Sequence, residues 1–90
     1  MGSHYPRERM IRVKTVTLYT QPECPPCEIV KLYLKEQQIP YIEVNIKEEP
    51  NARSYMLNVL KSYSTPTVTV DDQVIKGFQM EELAQALDLS

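Results

Sequence analysis

The sequence predicts a small α/β domain with the order β-α-β-α-β-β-α, folded as a mixed four-stranded sheet covered by helices. Three observations predict it. A chain of 90 residues has room for one core, burying roughly 60% of its unfolded surface, and none for a second domain. Short β-branched runs alternate with segments whose apolar residues recur every three or four positions. A helical segment separates the first two runs, which calls for a right-handed parallel crossover, whereas a two-residue turn separates the last two and makes an antiparallel hairpin of them.

The first strand is "KTVTLYT" (14–20), with Val16 and Leu18 on one face and Gln21-Pro22 as its stop. From Pro25 the pattern turns helical, with Ile29, Val30, Tyr33 and Leu34 as the apolar stripe and Lys31, Lys35 and Glu36 opposite. The end is expected near Gln38, because Pro40 disfavours α geometry at Ile39. "YIEVNI" (41–46) alternates as a second strand, and "KEEPN" breaks it. Pro50 suits the first turn of a second helix, whose stripe is read as Tyr55, Met56, Val59, Leu60 and Tyr63. "PTVTV" and "QVIKG" flank Asp71-Asp72 as a hairpin, and "MEELAQALDL" is a last helix with Leu83, Ala86 and Leu87 inward and Glu81 and Glu82 at its positive end. Residues 1–12 are read as a tag-derived or flexible head and residues 13–90 as the domain. "MGSH" resembles an expression-vector scar, and His4, the only histidine, goes with it.

Composition narrows the function classes. The formal net charge is -2, and only the head, with Arg7, Arg9, Arg12 and Lys14, is locally basic, so no nucleic-acid footprint is expected. No apolar run approaches the roughly 18 residues that span a bilayer, and the N-terminal residues lack the apolar core of a secretory signal. The expectation is a cytoplasmic protein with no membrane partner.

The chemistry concentrates in "YTQPECPPCEIVK" (19–31), which holds both cysteines of the chain. Cys24 falls at the N-terminal boundary of the first helix and Cys27 one turn in, close enough to close a disulfide. The unpaired N–H groups and positive dipole end of a helix stabilise a thiolate, so Cys24 is the natural nucleophile and Cys27 the resolving thiol. Pro25 costs nothing in the first turn, but Pro26 removes a second N–H that could have donated to sulfur. The thiol of Cys24 is therefore expected in the upper part of the depressed range. Two other readings stand beside the redox one. A structural zinc site needs four ligands where this chain offers two cysteines, and a staple this short constrains little of the unfolded chain.

"YSTPTV" (63–68) places Pro66 just before a strand that lies beside the first. A cis Thr65-Pro66 bond would turn the Thr65 backbone toward an extended substrate, but the residues alone favour an ordinary trans proline opening an edge strand, since cis accounts for only about 5 to 6% of such bonds. Gly77, the only glycine outside the head, stands between the last strand and last helix, where either a dihedral or a close approach would require it. Phe78 beside it is read equally as docking residue or core.

With these residues together, the chain from Val13 to Leu89 resembles a glutaredoxin-like protein of the thioredoxin superfamily. "VTLYTQPECPPCEIVKLYL" is similar to that family's strand-CxxC-helix opening, "STPTV" to its cis-proline segment, and "GF" with Glu81 to the start of its last helix. The resemblance implies a thioredoxin-like fold and carries over Cys24 and Cys27 as the redox pair, Pro66 as the cis-proline and Thr65 as the residue offering backbone bonds to substrate. It also marks Gln21, Pro26, Gly77 and Phe78 as substrate-binding positions. Glutathione-using members commonly carry Lys near Gln21, Tyr at Pro26, Val before Pro66 and a second Gly at Phe78. The "GF" start is more similar to NrdH-type redoxins, which take electrons from thioredoxin reductase, although those have other residues between their cysteines.

The function implied is reduction of protein disulfides by a monomer, with no metal and no cofactor beyond the redox-active disulfide. Thioredoxin reductase or glutathione is the expected reductant. A glutathione-dependent glutaredoxin, with glutathione as co-substrate, is the alternative. A non-enzymatic alternative is a dimer carrying an iron-sulfur cluster through Cys24.

Overall fold

The computed structural model describes residues 14–88. The head at 1–12, with His4 and its three arginines, Val13 at the predicted domain start and residues 89–90 lie outside the described residues. Seven elements follow in the predicted order: β1 (Val16–Thr20), α1 (Pro25–Glu36), β2 (Ile42–Asn45), α2 (Pro50–Asn58), β3 (Thr67–Val70), β4 (Gln73–Lys76) and α3 (Met80–Ala86). They form a four-stranded sheet in the order β2-β1-β3-β4, the arrangement of a thioredoxin-like fold. The β1–β2 pair is parallel; β1–β3 and β3–β4 are antiparallel.

The alternation of β1 explains the layers. Val16 and Leu18 point to one face, where they pack with Val30 and Leu34 of α1, Val68 and Val70 of β3, Ile75 of β4, and Leu83 and Ala86 of α3. Tyr19 points to the other face, where it packs with Ile46 and with Met56 of α2. Helices α1 and α3 thus cover one face, and α2 covers the end of the other.

Two stripes differ from the sequence reading. On α1 the buried positions are Cys27, Val30 and Leu34, while Ile29 is half exposed. The core-facing line is set by residues three and four apart starting from Cys27, and Ile29 lies off it. On α2, Met56 is buried with Ala52, Leu57 and Leu60 packed about it, whereas Tyr55, Val59 and Tyr63 are exposed. The helix stops at Asn58, so helical spacing no longer governs Leu60 or Tyr63. Nine residues long, α2 packs its core cluster against Tyr19, Val44 and Ile46. Ile42, two residues before Val44 on the same strand face, is left exposed.

The first helix ends two residues before Gln38. Gln38 is left-handed (φ 59) and its N–H donates to the Lys35 carbonyl, while the Ile39 N–H donates to that of Leu34 at 2.9 Å. This paired closure satisfies two carbonyls that the helix leaves open. In the β3–β4 hairpin Asp71 takes the left-handed conformation (φ 53) that the missing glycine would otherwise supply. It also exchanges hydrogen bonds with Thr15, accepting from its N–H on Oδ1 and donating to its carbonyl, both at 2.9 Å. The hairpin is thereby tied to the start of β1.

Candidate active site at one end of the sheet

Strand register decides which loops meet. Tyr19 of β1 pairs with Thr67 of β3, so the Thr65-Pro66 loop enters the sheet beside the point where β1 leaves for the cysteines. Thr67 in turn pairs with Lys76, which brings Gly77 alongside Pro66: the Gly77 N–H donates to the Pro66 carbonyl at 2.9 Å. On the other side Thr20 pairs with Asn45, and the Ile46 N–H donates to the Thr20 carbonyl, which carries Lys47 toward Gln21. Four loops distant in sequence therefore share one end of the sheet.

At their centre Cys24 caps α1. The chain leaves β1 through Gln21 and Pro22, turns at a left-handed Glu23 (φ 57), and enters the helix at Pro25. Cys24 and Cys27 are joined in a disulfide across one turn, with Cα atoms 5.2 Å apart. The Cys27 N–H also donates to Cys24 Sγ at 3.3 Å. Cys24 is 8% exposed and Cys27 is 0% exposed, so an incoming sulfur can reach only Cys24. Pro25 and Pro26 occupy the first two helical positions without offering an N–H.

The Thr65-Pro66 bond is cis, and the Thr65 hydroxyl donates to Cys24 Sγ at 3.5 Å. Neighbouring hydroxyls hold this loop. Thr67 Oγ1 donates to the Ser64 carbonyl at 2.7 Å, so Ser62 Oγ donates in turn to Thr67 Oγ1, also at 2.7 Å. Ser62 and Thr67 are both buried, and each finds its partner in the other. Gly77 has φ 76, and a Cβ built on it would meet nothing within 4 Å. Its dihedral, not a close approach, is what requires glycine there. Phe78 is half exposed and so is not a core residue.

Gln21 lines an open cleft of about 320 Å³ together with Ile46, Lys47, Pro50 and Arg53. Lys47 and Arg53 were not singled out from sequence, because the segments that carry them sit in the chain as an ordinary loop and helix start. The parallel pairing of β2 with β1 was the available signal, since it puts whatever follows β2 next to whatever follows β1. A second charged group ties α1 to β2: Lys31 Nζ lies 2.9 Å from Glu28 and 3.2 Å from Glu43, and Thr20 donates to the same Glu43 oxygen. The hydrogen bond to Glu28 holds the Lys31 ammonium above the ordinary lysine range; burial pulls the other way and Glu43 adds to the rise. Among the described residues no group of three or more His, Cys, Asp or Glu side chains could hold a metal ion, and no helix is long and apolar enough to cross a membrane.

Comparison with known proteins follows the same lines. The Glutaredoxin family model matches residues 16–75. The glutaredoxin-like protein NrdH of Lactococcus lactis subsp. cremoris is 34% identical over 70 residues, covering 78% of this chain and 96% of that one. A glutaredoxin-like 8.6 kDa protein from the rubredoxin operon of Clostridium pasteurianum is 29% identical over 73 residues, covering 81% of this chain and 97% of its own length. Among solved structures, the thioredoxin-like protein BC3987 superimposes with a TM-score of 0.78 at 47% identity, over 80% of this chain and 99% of that one. NrdH-redoxin from Escherichia coli shares the fold, with a TM-score of 0.72 at 21% identity over 79% of this chain and 92% of that one.

Proposed function

The chain belongs to the glutaredoxin family and has a thiol-disulfide redox role, and from that premise we propose that it reduces protein disulfides as a thioredoxin-like electron donor through Cys24 and Cys27. The observation that carries the reading is the asymmetry of the pair: Cys24 keeps a small exposure and two hydrogen-bond donors to its sulfur, whereas Cys27 is fully buried. Cys24 thiolate attacks a target disulfide, and one target sulfur leaves as thiolate. Cys27 thiolate then attacks Cys24 Sγ, which closes the internal disulfide and expels the second target sulfur. The target gains two electrons and the chain loses two. One chain suffices for the cycle, and a reducing compartment such as the cytoplasm suits it.

The residues around Cys24 favour thioredoxin reductase as the source of electrons. Gln21 replaces a lysine, Pro26 a tyrosine, and Gly77 is followed by Phe78, so three features associated with glutathione are missing. The kinship with BC3987, described as thioredoxin-like, and with NrdH points the same way.

One observation favours a second reading. Lys47 and Arg53 line the cleft beside Gln21 and supply cations where the sequence lacks its lysine, so the carboxylate of glutathione has donors available there. NADPH consumption by the oxidised protein separates the two. Turnover with thioredoxin reductase alone is expected. Turnover only with glutathione and glutathione reductase would instead assign the electrons to a glutathione pocket built on Lys47 and Arg53.

A further inference from the structure

A thiolate at a helix N-terminus is held in its charged form by the free N–H groups of the first turn. Here Pro25 and Pro26 remove two of them, and the Cys27 N–H is the donor left at the first three helical positions. The same sulfur has a donor from another part of the chain, the Thr65 hydroxyl at 3.5 Å. A hydroxyl can donate or accept, but facing a thiolate it can only donate. Resting on the dithiol reading above, we infer that the Thr65 hydroxyl is a catalytic group, which donates to the Cys24 thiolate and stands in for the N–H that Pro26 lacks.

The loop is built to hold that hydroxyl in place. The carbonyls on either side of Thr65 are both engaged, that of Ser64 by Thr67 Oγ1 and that of Pro66 by the Gly77 N–H. Ser62, by donating to Thr67 Oγ1, leaves Thr67 no freedom to turn elsewhere. Ser62 and Thr67 are thus positioning residues for Thr65.

The hydroxyl serves two moments of the cycle. Before attack it stabilises the charge on Cys24, which disappears as the new S–S bond forms and the target sulfur departs with the bonding pair. During regeneration a dithiol reductant attacks Cys24 Sγ and releases Cys27 as thiolate, which takes a proton from water. The second thiolate of the reductant then attacks its own sulfur, expelling Cys24 as thiolate, and the Thr65 bond re-forms as that charge develops. A better-stabilised thiolate is a better leaving group.

The test is alkylation of the reduced full-length protein by iodoacetamide across pH, with the Cys24 adduct identified by mass spectrometry. Thr65→Val keeps the shape and removes the hydroxyl; its alkylation midpoint is expected to move up by about 0.5 to 1 pH unit. Thr65→Ser restores the donor and should return the midpoint to near that of the parent protein. In a Pro26→Ala background, where an N–H is regained, Thr65→Val should move the midpoint by less than half as much. An unmoved midpoint in Thr65→Val, or Thr65→Ser moving as far as Thr65→Val, would overturn the catalytic role; equal shifts in both backgrounds would overturn the substitution for Pro26. Failure of the parent protein to turn over in the NADPH assay would reject the oxidoreductase reading instead, since alkylation reports on the thiolate with no redox partner present.

Discussion

At the scale of single residues, the site depends on a few positions whose backbone or hydroxyl has a particular task. Gly77 is the simplest. Its φ of 76 has space around it, so Gly77→Ala should cost about 1 kcal/mol for the dihedral alone, and Gly77→Asn less, since asparagine tolerates the left-handed region. Urea denaturation of the two variants checks this; an asparagine variant worse than alanine would mean that the side chain meets an obstacle. The sequence made Cys24 and Cys27 legible through their spacing at a helix start, and it singled out Pro66 and Gly77 but left two uses open at each, which the cis bond and the dihedral then resolved. It did not make Thr65 Oγ1, Ser62 or Thr67 legible as a group, because the shape of the loop decides that Ser62 meets Thr67 and the register of β3 on β1 decides that Thr65 meets Cys24. Lys47 and Arg53 depend likewise on a pairing, that of β2 with β1.

At the scale of elements, the alternation of β-branched runs and helical stripes was enough to order all seven, because each carries its own period. The faces of α1 and α2 were harder to read. Apolar residues outnumber core positions on both, and only the partner surface decides that Val30 and Leu34 go in while Ile29 stays half exposed. Leu34→Ala, removing a fully buried side chain between α1 and the sheet, is expected to cost about 2 to 5 kcal/mol, whereas Ile29→Ala should stay within roughly 1 kcal/mol. The loop before β3 is held differently, by polar bonds. Thr67→Val takes away both the donor to the part-buried Ser64 carbonyl and the acceptor for the buried Ser62 hydroxyl, and should lower stability by about 1 to 3 kcal/mol in a urea titration. No loss there would mean that the hydroxyl pair is dispensable to the loop.

At the scale of the whole molecule, two groups with raised values make stability fall at alkaline pH. Burial raises the Tyr19 phenol above its ordinary 10.0, with the charge of Tyr55 adding to the rise, and the Glu28 bond raises Lys31 above 10.5. In both cases the folded state keeps a proton that the unfolded chain gives up. Their stabilisation is therefore complete below pH about 10 and is lost as pH climbs through the raised values. The stability difference between the parent and a Lys31→Met variant should be the same at pH 7 and 9 and shrink by pH 11.5; a difference that grew with pH would contradict the sign. The register that builds this molecule also builds its function, since the pairings of β1 with β2 and β3, and of β3 with β4, bring the loops of the site to one end of the sheet. The central claim is that Cys24 attacks and Cys27 resolves. It is tested most directly by incubating reduced Cys27→Ser and Cys24→Ser variants with a disulfide-bonded peptide and reading adducts by mass spectrometry. A mixed disulfide accumulating on Cys24 in the first variant, with none in the second, is the expected result. Adducts on Cys27 in the second variant, or none in either, would contradict the account.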